Sequence, residues 1–296
     1  MTFLELLGFR GFGNFLSPAG DIPPMRRVPL MGIVIVLVII TIFVSTRNPS
    51  VQEPSVTAMR SFLESQYVPE AGLLRASVTT YPDNVTIWLA NDNLLAVKAL
   101  KLSGSPLWRN VSVALSLYNV SSNDRIDPLL GRPLSGFFCP MIVEVGEVRS
   151  VKFNTTFELK LEKGNASCPM QDWEEYADLL VYGALSELLR GNREGAEKLY
   201  LELMTLWDGN GFRDKAFNGV YQSYKCALFV YLNRALNEKT GRDIRIRCLK
   251  ILSALQAPNG GITTGYVVKN GKTVPIGDQN TETTSMVIIA LLSHSP

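Results

Sequence analysis

Four short segments that each contain asparagine stand out in the chain, at residues 88–97, 206–214, 255–266 and 277–284, and all of them except 255–266 carry carboxylates. One carboxylic acid can donate a proton while a second, ionised carboxylate accepts one, so such a set could carry out acid/base catalysis. Aromatic side chains beside them offer broad apolar faces on which a ligand could stack. The candidates for catalysis are Asp92, Asp208, Asp214, Asp278 and Glu282, and the candidates for substrate binding are Trp88, Trp207 and Tyr266.

The composition indicates that any acid/base catalysis would depend on carboxylates. The single histidine, His294, lies almost at the C-terminus, which argues against a Ser-His-Asp triad, a histidine-ligated zinc ion or an imidazole base. We therefore expect no metal and no cofactor. The net charge of +2, with no dense basic cluster, argues against nucleic acid as a partner.

Each candidate also has a structural interpretation. Asp92 could be a helix N-cap, and Glu282 could sit in a first turn because the helix dipole favours an acid there. Asp208 is followed by Gly-Asn-Gly and could simply form a turn. Trp88 and Trp207 could be wedges of the hydrophobic core. Only the recurrence of these residue types in similar segments favours a functional interpretation.

Hydrophobic periodicity predicts a mainly α fold with a small antiparallel β insertion. A period of 3.6 residues indicates helices near 56–63 and 93–101, and five more after residue 172, near 179–188, 196–207, 221–236, 244–255 and 281–292. A period of two indicates strands at 111–118, 141–145 and 151–162, so the insertion is placed at about 108–165. Short loops between successive helices predict helical hairpins in series.

The loops between these hairpins resemble those of α/α-toroid proteins. The segments Asp92-Asn-Leu-Leu-Ala and Asn280-Thr-Glu-Thr are most similar to the six-hairpin glycosidase-like superfamily, and the resemblance covers about 57–102 and 172–293. It implies a cleft at one end of a ring of helices, where the loops supply carboxylates and aromatic platforms for a sugar chain. The sequence has fewer helices than a complete ring, which leaves open an inactive partial toroid or a ring completed by a partner.

An uncharged run of seventeen residues, Val28 to Val44, predicts a transmembrane anchor at 28–45, with a cytoplasmic tail at 1–27, a stalk at 46–56 and an extracellular α/α-toroid-like domain at 57–296. A cleaved signal peptide is the alternative. The flanking arginines favour a cytoplasmic N-terminus only weakly, so a domain that faces the cytoplasm is the alternative orientation. This predicts a single-pass protein of the cell membrane with the lipid bilayer as a partner.

Sequons and cysteines support an exterior location for the domain. Sequons occur at Asn84, Asn110, Asn119, Asn154 and Asn165. The spacing of the four cysteines suggests two disulfides, Cys139 with Cys168 and Cys226 with Cys248, although four cysteines allow three pairings and buried free thiols are the alternative.

Together these observations predict a surface protein that binds or processes carbohydrate, by cleavage as a hydrolase or lyase. The alternative is a non-catalytic envelope or scaffold protein that binds glycans or other envelope proteins. The sequence does not decide between an enzyme and a binding protein.

Overall fold

Helices are the most abundant secondary structure of the described chain. The computed structural model describes residues 53–79 and 84–293, which lie within one contact unit, Val51–Pro296. Within these residues the α-helices are α1 (Val56–Ser65), α2 (Asn91–Leu102), α3 (Trp108–Leu117), α4 (Ala177–Leu189), α5 (Arg193–Thr205), α6 (Ser223–Leu236), α7 (Arg242–Ala254) and α8 (Thr281–Leu292). Two short 3₁₀ helices, Asp127–Leu130 and Trp173–Glu175, lie between α3 and α4.

The helices separate into inner and outer members. Helices α4, α6 and α8 are buried on almost every side, because their sequences are apolar nearly all round. Helices α5 and α7 bury only one stripe, and they pack on α4 and α6 as hairpin partners. Helix α8 packs against α1, α2 and α6 and so lies at the centre of the bundle. The four predicted helices near 179–188, 196–207, 221–236 and 244–255 are confirmed, as is the last one at 281–292.

In residues 53–79 and 84–293, eight short or medium strands form three sheets. The strands are β1 (Tyr67–Val68), β2 (Leu73–Leu74), β3 (Thr86–Trp88), β4 (Phe138–Ser150), β5 (Thr155–Pro169), β6 (Tyr221–Gln222), β7 (Thr263–Lys269) and β8 (Lys272–Gln279). The sheet orders are β1-β2, β3-β5-β4 and β6-β7-β8, and β3 runs parallel to β5 while the other pairs are antiparallel.

The predicted β insertion is present, but its boundaries were wrong. Residues 111–118 form helix α3 and its end rather than a strand, since Val111, Ala114 and Leu115 share one buried helical stripe while Val113 and Leu117 are exposed. Residues 151–154 form the turn of the β4–β5 hairpin, and the strand begins at Thr155. The alternation within β5 is confirmed, because Phe157 and Leu159 are buried. The β7–β8 hairpin was not predicted.

The predicted fold class needs correction in two respects. The described residues are 44% helical and 24% strand, which is a mixture of α and β rather than a mainly α protein with a small insertion. Across residues 53–79 and 84–293 no helix has the length and apolar character to cross a bilayer. The longest, α6, has 14 residues and spans about 21 Å, which is short of the roughly 30 Å of hydrocarbon.

The predicted anchor at 28–45, the tail at 1–27 and most of the stalk at 46–56 lie outside the described residues. The prediction of a single-pass membrane protein with an extracellular domain is not supported by the structure and is corrected here. The domain boundaries themselves stay a prediction.

One of the two predicted disulfides is present. Cys139 and Cys168 are bonded and join the open end of the β4–β5 hairpin. Cys226 on α6 and Cys248 on α7 are buried free thiols, so the prediction of a second disulfide was wrong. Burial raises the pKa of the Cys248 thiol, and the neighbouring thiol of Cys226 on α6 raises it further.

Candidate functional site

Two adjoining recesses of about 190 Å³ each form an acidic cleft at one end of the helical bundle. Asn91, Glu162 and Glu282 line both recesses. One recess is completed by Ala76, Ser77, Trp88, Asp92 and Asn280, and the other by Arg125, Ile126, Asp178, Tyr182 and Tyr224. We call these residues together the acidic cleft.

The cleft lies where four helices begin. Asp92 is in the first turn of α2, Asp178 in the first turn of α4, Tyr224 in the first turn of α6 and Glu282 in the first turn of α8. Helix N-termini carry partial positive charge, so their convergence stabilises a concentration of carboxylates. The fold therefore directs acidic side chains from distant parts of the sequence into one space.

Glu282 is positioned by the capping of α8. The side chain of Asn280 accepts a hydrogen bond of 2.8 Å from the amide of Thr283, which fixes the start of the helix. Thr281 anchors the same turn, since its amide donates to the carbonyl of Ala76 at 2.8 Å and its hydroxyl donates to the carbonyl of Arg75 at 2.6 Å. These bonds fix the backbone before and after Glu282 and so hold its side chain at the cleft.

Asn93 positions the start of α2. Its side chain is fully buried, accepts a hydrogen bond from the amide of Leu74 at 2.8 Å and donates to the carbonyls of Leu74 at 3.0 Å and Trp88 at 2.8 Å. These bonds fix the turn that carries Trp88, Asn91 and Asp92 into the cleft. The register of β3 on β5, with Trp88 opposite Lys160, places Glu162 of β5 just beyond that turn.

Arg125 links two of the carboxylates. Its Nη2 atom lies 3.0 Å from Asp178, and its Nη1 atom lies 3.7 Å from Glu162. The loop that carries Arg125 is fixed by Asn123, whose side chain accepts from the amides of Arg125 at 3.1 Å and Ile126 at 2.8 Å and donates to Asn91. Burial disfavours the charge of Arg125, but Asp178 and the other nearby anions outweigh this and raise its pKa.

The pKa of the Glu282 carboxyl group is raised. Burial raises its pKa, Glu162 and Asp178 raise it further, and Arg125 opposes them, with a resulting pKa of about 7. A carboxyl group with this pKa is partly protonated at neutral pH and can act as an acid. The phenols of Tyr182 and Tyr224 stay protonated, because burial and the neighbouring Asp178 raise the pKa of each.

Three of the residues singled out from the sequence meet in the acidic cleft: Trp88, Asp92 and Glu282. Asp92 is buried but is not an N-cap, because Ala90 occupies that position and makes no side-chain capping bond. Glu282 lies in a first turn as its structural interpretation supposed, and Asn280 is the cap. Trp88 is only partly buried, so its face is available to the recess.

The other three candidate acids lie elsewhere and have structural partners. Asp214 is buried, forms a 2.6 Å ion pair with Lys225 and accepts a bond of 2.9 Å from the amide of Ala177. Asp278 accepts bonds from the amides of Val78 and Thr79 and so ties β8 to the segment before residue 80.

Asp208 forms the turn that its sequence suggested. Its side chain accepts from the amides of Asn210 at 2.9 Å and Gly211 at 3.1 Å, and from the hydroxyl of Tyr221 at 2.5 Å. Burial opposes ionisation of Asp208, but these hydrogen bonds outweigh it and lower the pKa of the carboxyl group. An acid held in this way is a structural anion rather than a proton donor.

Two of the predicted sugar platforms are parts of the packing. Trp207 lies edge-on to Phe212 with ring centroids 5.1 Å apart, and the two residues also pair through their backbones. Tyr266 is 1% exposed, stacks on Tyr221 and donates its hydroxyl to the carbonyl of Asn210 at 2.9 Å. Neither ring offers a free face to the acidic cleft.

Glu162, Asp178 and Arg125 were not predicted. Asp178 is followed by Leu-Leu at a helix start, much as Asp92 is followed by Asn-Leu-Leu, and this similarity could have identified it. Glu162 occupies an ordinary polar position of an alternating strand, and Arg125 lies in an irregular loop, so the sequence around them carries no comparable signal.

Glycosylation at the five sequons stays a prediction. Asn110, Asn119 and Asn154 are exposed, and Asn84 and Asn165 are partly exposed. None of the five lines the acidic cleft. In the portion of the chain that the structure covers, no group of three or more His, Cys, Asp and Glu side chains could hold a metal ion.

Comparison with known proteins gives no family assignment. No protein-family model matches the chain, and no curated protein is detectably similar to it.

Proposed function

We propose that the chain binds carbohydrate in the acidic cleft and hydrolyses a glycosidic bond there. The observation that carries this proposal is the pairing of Glu282, with a pKa of about 7, and Glu162 as the two carboxylates that line both recesses. Glycoside hydrolysis needs one protonated and one ionised carboxyl group on either side of the scissile bond. The resemblance of the loops to glycosidase-like toroids supports the same reaction class.

In this mechanism Glu282 is the acid. It transfers its proton to the departing glycosidic oxygen as the bond from that oxygen to the anomeric carbon breaks. Its raised pKa leaves a substantial fraction of the Glu282 carboxyl groups protonated at neutral pH, and this fraction can act as the acid. Asn91 and Trp88 flank this position and would orient the sugar ring by hydrogen bonding and stacking.

Glu162 is the ionised partner. It is 20% exposed and lies 3.7 Å from Arg125, whereas Asp178 is only 6% exposed and binds the same arginine at 3.0 Å. Glu162 is therefore the more accessible base, and Asp178 holds Arg125 in place. Glu162 takes a proton from the attacking water, or attacks the anomeric carbon directly, and the anomer of the first product tells which.

One observation favours binding without cleavage. Arg125 is ion-paired with both Glu162 and Asp178, so both carboxylates are engaged by the same cation. A cleft of this kind would bind sugar hydroxyl groups through fixed carboxylates and leave the glycosidic bond intact.

The test is a hydrolysis screen of the full chain against aryl glycosides and oligosaccharides, with Glu282→Gln, Glu162→Gln and the control Glu194→Gln. Glu194 is also a first-turn glutamate, of α5, but it is exposed and outside the cleft. We expect each cleft variant to lose at least about 100-fold in kcat while the control keeps its activity. Saturable sugar binding without hydrolysis by any form would favour the binding function, and neither binding nor hydrolysis would contradict both.

A further inference from the structure

A second, larger groove lies between α2 and α3, apart from the acidic cleft. Its volume is about 780 Å³, within the range of small-molecule sites. The groove is lined by apolar side chains together with serines and two lysines: Leu94, Val97, Lys98, Lys101, Leu102, Ser112, Leu115, Ser116, Val120, Ser121 and Leu130. Of the residues placed by the structure, no acidic one lines this groove.

Lys98 gives the groove a partly buried positive charge. Its ammonium group donates to the carbonyl of Leu129 at 2.5 Å and lies 5.8 Å from the ring centre of Tyr231. Among the residues that the structure describes, no carboxylate forms an ion pair with Lys98, and burial lowers the pKa of its ammonium group. Buried charges in proteins are ordinarily paired, so this lysine is suited to an anion from outside the chain.

The apolar surface continues beyond the groove. Leu102 on its wall is 39% exposed, and Val113 and Leu117, on the neighbouring stripe of α3, are 62% and 79% exposed. Lys101 lies at the same end of α2, with its ammonium group 5.3 Å from the ring centre of Trp108. Apolar surface next to a cation that no described carboxylate neutralises is complementary to an amphiphile that has a hydrocarbon chain and a negative head.

We propose that the groove between α2 and α3 binds a long-chain carboxylate, whose alkyl chain lies along the leucine and valine side chains and whose head group pairs with Lys98. Lys101, at the rim, adds a second positive charge. This site shares no residue with the acidic cleft, so the proposal is independent of glycoside hydrolysis.

Equilibrium dialysis of the full chain with palmitate tests the proposal, with hexadecanol as the neutral probe of the same length. Three variants are compared: Lys98→Met removes the charge and keeps the stem, Ser116→Phe fills the groove from α3, and Lys198→Met changes an exposed lysine of α5 as the control. Circular dichroism checks that each variant is folded.

We expect wild type and the Lys198→Met control to bind palmitate saturably and about tenfold or more tightly than hexadecanol. Lys98→Met should abolish that preference, and Ser116→Phe should weaken the binding of both probes at least tenfold. Absence of saturable palmitate binding, or binding that survives both Lys98→Met and Ser116→Phe unchanged, would overturn the proposal. Should Lys98→Met not fold, the folded Ser116→Phe protein decides the matter alone.

Discussion

The Nη2 atom of Arg125 lies 3.0 Å from Oδ2 of Asp178, so a loop cation is fixed against the first turn of α4. The side chain of Asp178 is 6% exposed, and an anion at that depth needs a partner. Arg125 also affects the protonation of Glu282, because its positive charge opposes the rise in the pKa of that carboxyl group. Arg125 therefore acts on the stability of the fold and on the protonation of the cleft together.

Replacing Arg125 with methionine should destabilise the protein by about 1.5–3 kcal/mol, since it leaves Asp178 without its charged partner. It should also raise the pKa of Glu282 above its value of about 7. Chemical denaturation measures the first effect, and carbon-detected NMR titration of the Glu282 carboxyl group measures the second. Arg247→Met, at an exposed arginine that contacts only a carbonyl among the described residues, is the control. An unchanged Glu282 titration would contradict the assigned coupling.

Glu282→Gln should remove a pH dependence of stability. The carboxyl group ionises near pH 4.5 in the unfolded chain and near pH 7 in the folded chain, so the folded state holds more protons between these values. Stability from this group is therefore complete below pH 4.5 and is lost as the pH rises through 7. Glutamine resembles the protonated acid at every pH. We expect the variant to match wild type at pH 4.5 and to be more stable by about 1–3 kcal/mol at pH 8.

Denaturation at both pH values tests this, with Glu194→Gln as the exposed first-turn control. A variant less stable than wild type at pH 8 would mean that Glu282 is ionised and paired in the folded protein. The acidic cleft would then lack its proton donor at neutral pH.

Asp214 should contribute to stability and not to catalysis. Its carboxylate is fully buried against the ammonium group of Lys225, at 2.6 Å. Lys225→Met would leave a buried charge without its cation and should cost about 3–5 kcal/mol of stability. The double change of Lys225→Met with Asp214→Leu should cost less than Lys225→Met alone, because no uncompensated charge remains. Thermal denaturation of the three proteins checks the order, and equal losses would show that the pair is not coupled.

The sequence predicted the helices of the C-terminal half because each combines a clear 3.6-residue period with a turn signal at its end. Residues 111–118 were misassigned because valine and leucine alternate with serine and alanine, a spacing that satisfies a strand and a helix alike. The burial of Val111 and Leu115 depends on tertiary contacts with β2 and α2, which no local pattern reveals.

The candidate site was only partly predictable for a similar reason. Asp92 and Glu282 were found because both precede apolar helical runs after loops rich in asparagine. Glu162 reaches the cleft through the parallel pairing of β3 with β5, between residues more than seventy positions apart in the chain. Arg125 is positioned by hydrogen bonds between the side chain of Asn123 and the backbone of its loop. Both placements are consequences of the assembled fold.

For the cysteines, the sequence predicts two disulfides whereas the structure contains one, so the number of free thiols is a test. The structure bonds Cys139 to Cys168 and leaves Cys226 and Cys248 as buried thiols. Protein denatured without reductant should therefore show two reactive thiols of the four cysteines per chain in a thiol titration, and four after reduction. Peptide mapping under the same conditions should find the Cys139–Cys168 link.

The same bond predicts an effect on stability. It closes the hairpin of β4 and β5 at its open end, so Cys139→Ser with Cys168→Ser should cost about 2–4 kcal/mol, chiefly because the unfolded chain regains the freedom that the link removes. Cys226→Ala with Cys248→Ala is the matched pair, since both members are buried and unlinked. Reductant should lower the stability of wild type. It should lower the stability of the Cys226→Ala, Cys248→Ala variant by the same amount, so the difference in stability between these two proteins should stay unchanged. The opposite outcome is a wild-type stability that reductant does not change, together with no free thiols in the titration of denatured, unreduced protein. It would mean that both cysteine pairs are bonded and that the reductant reaches neither bond.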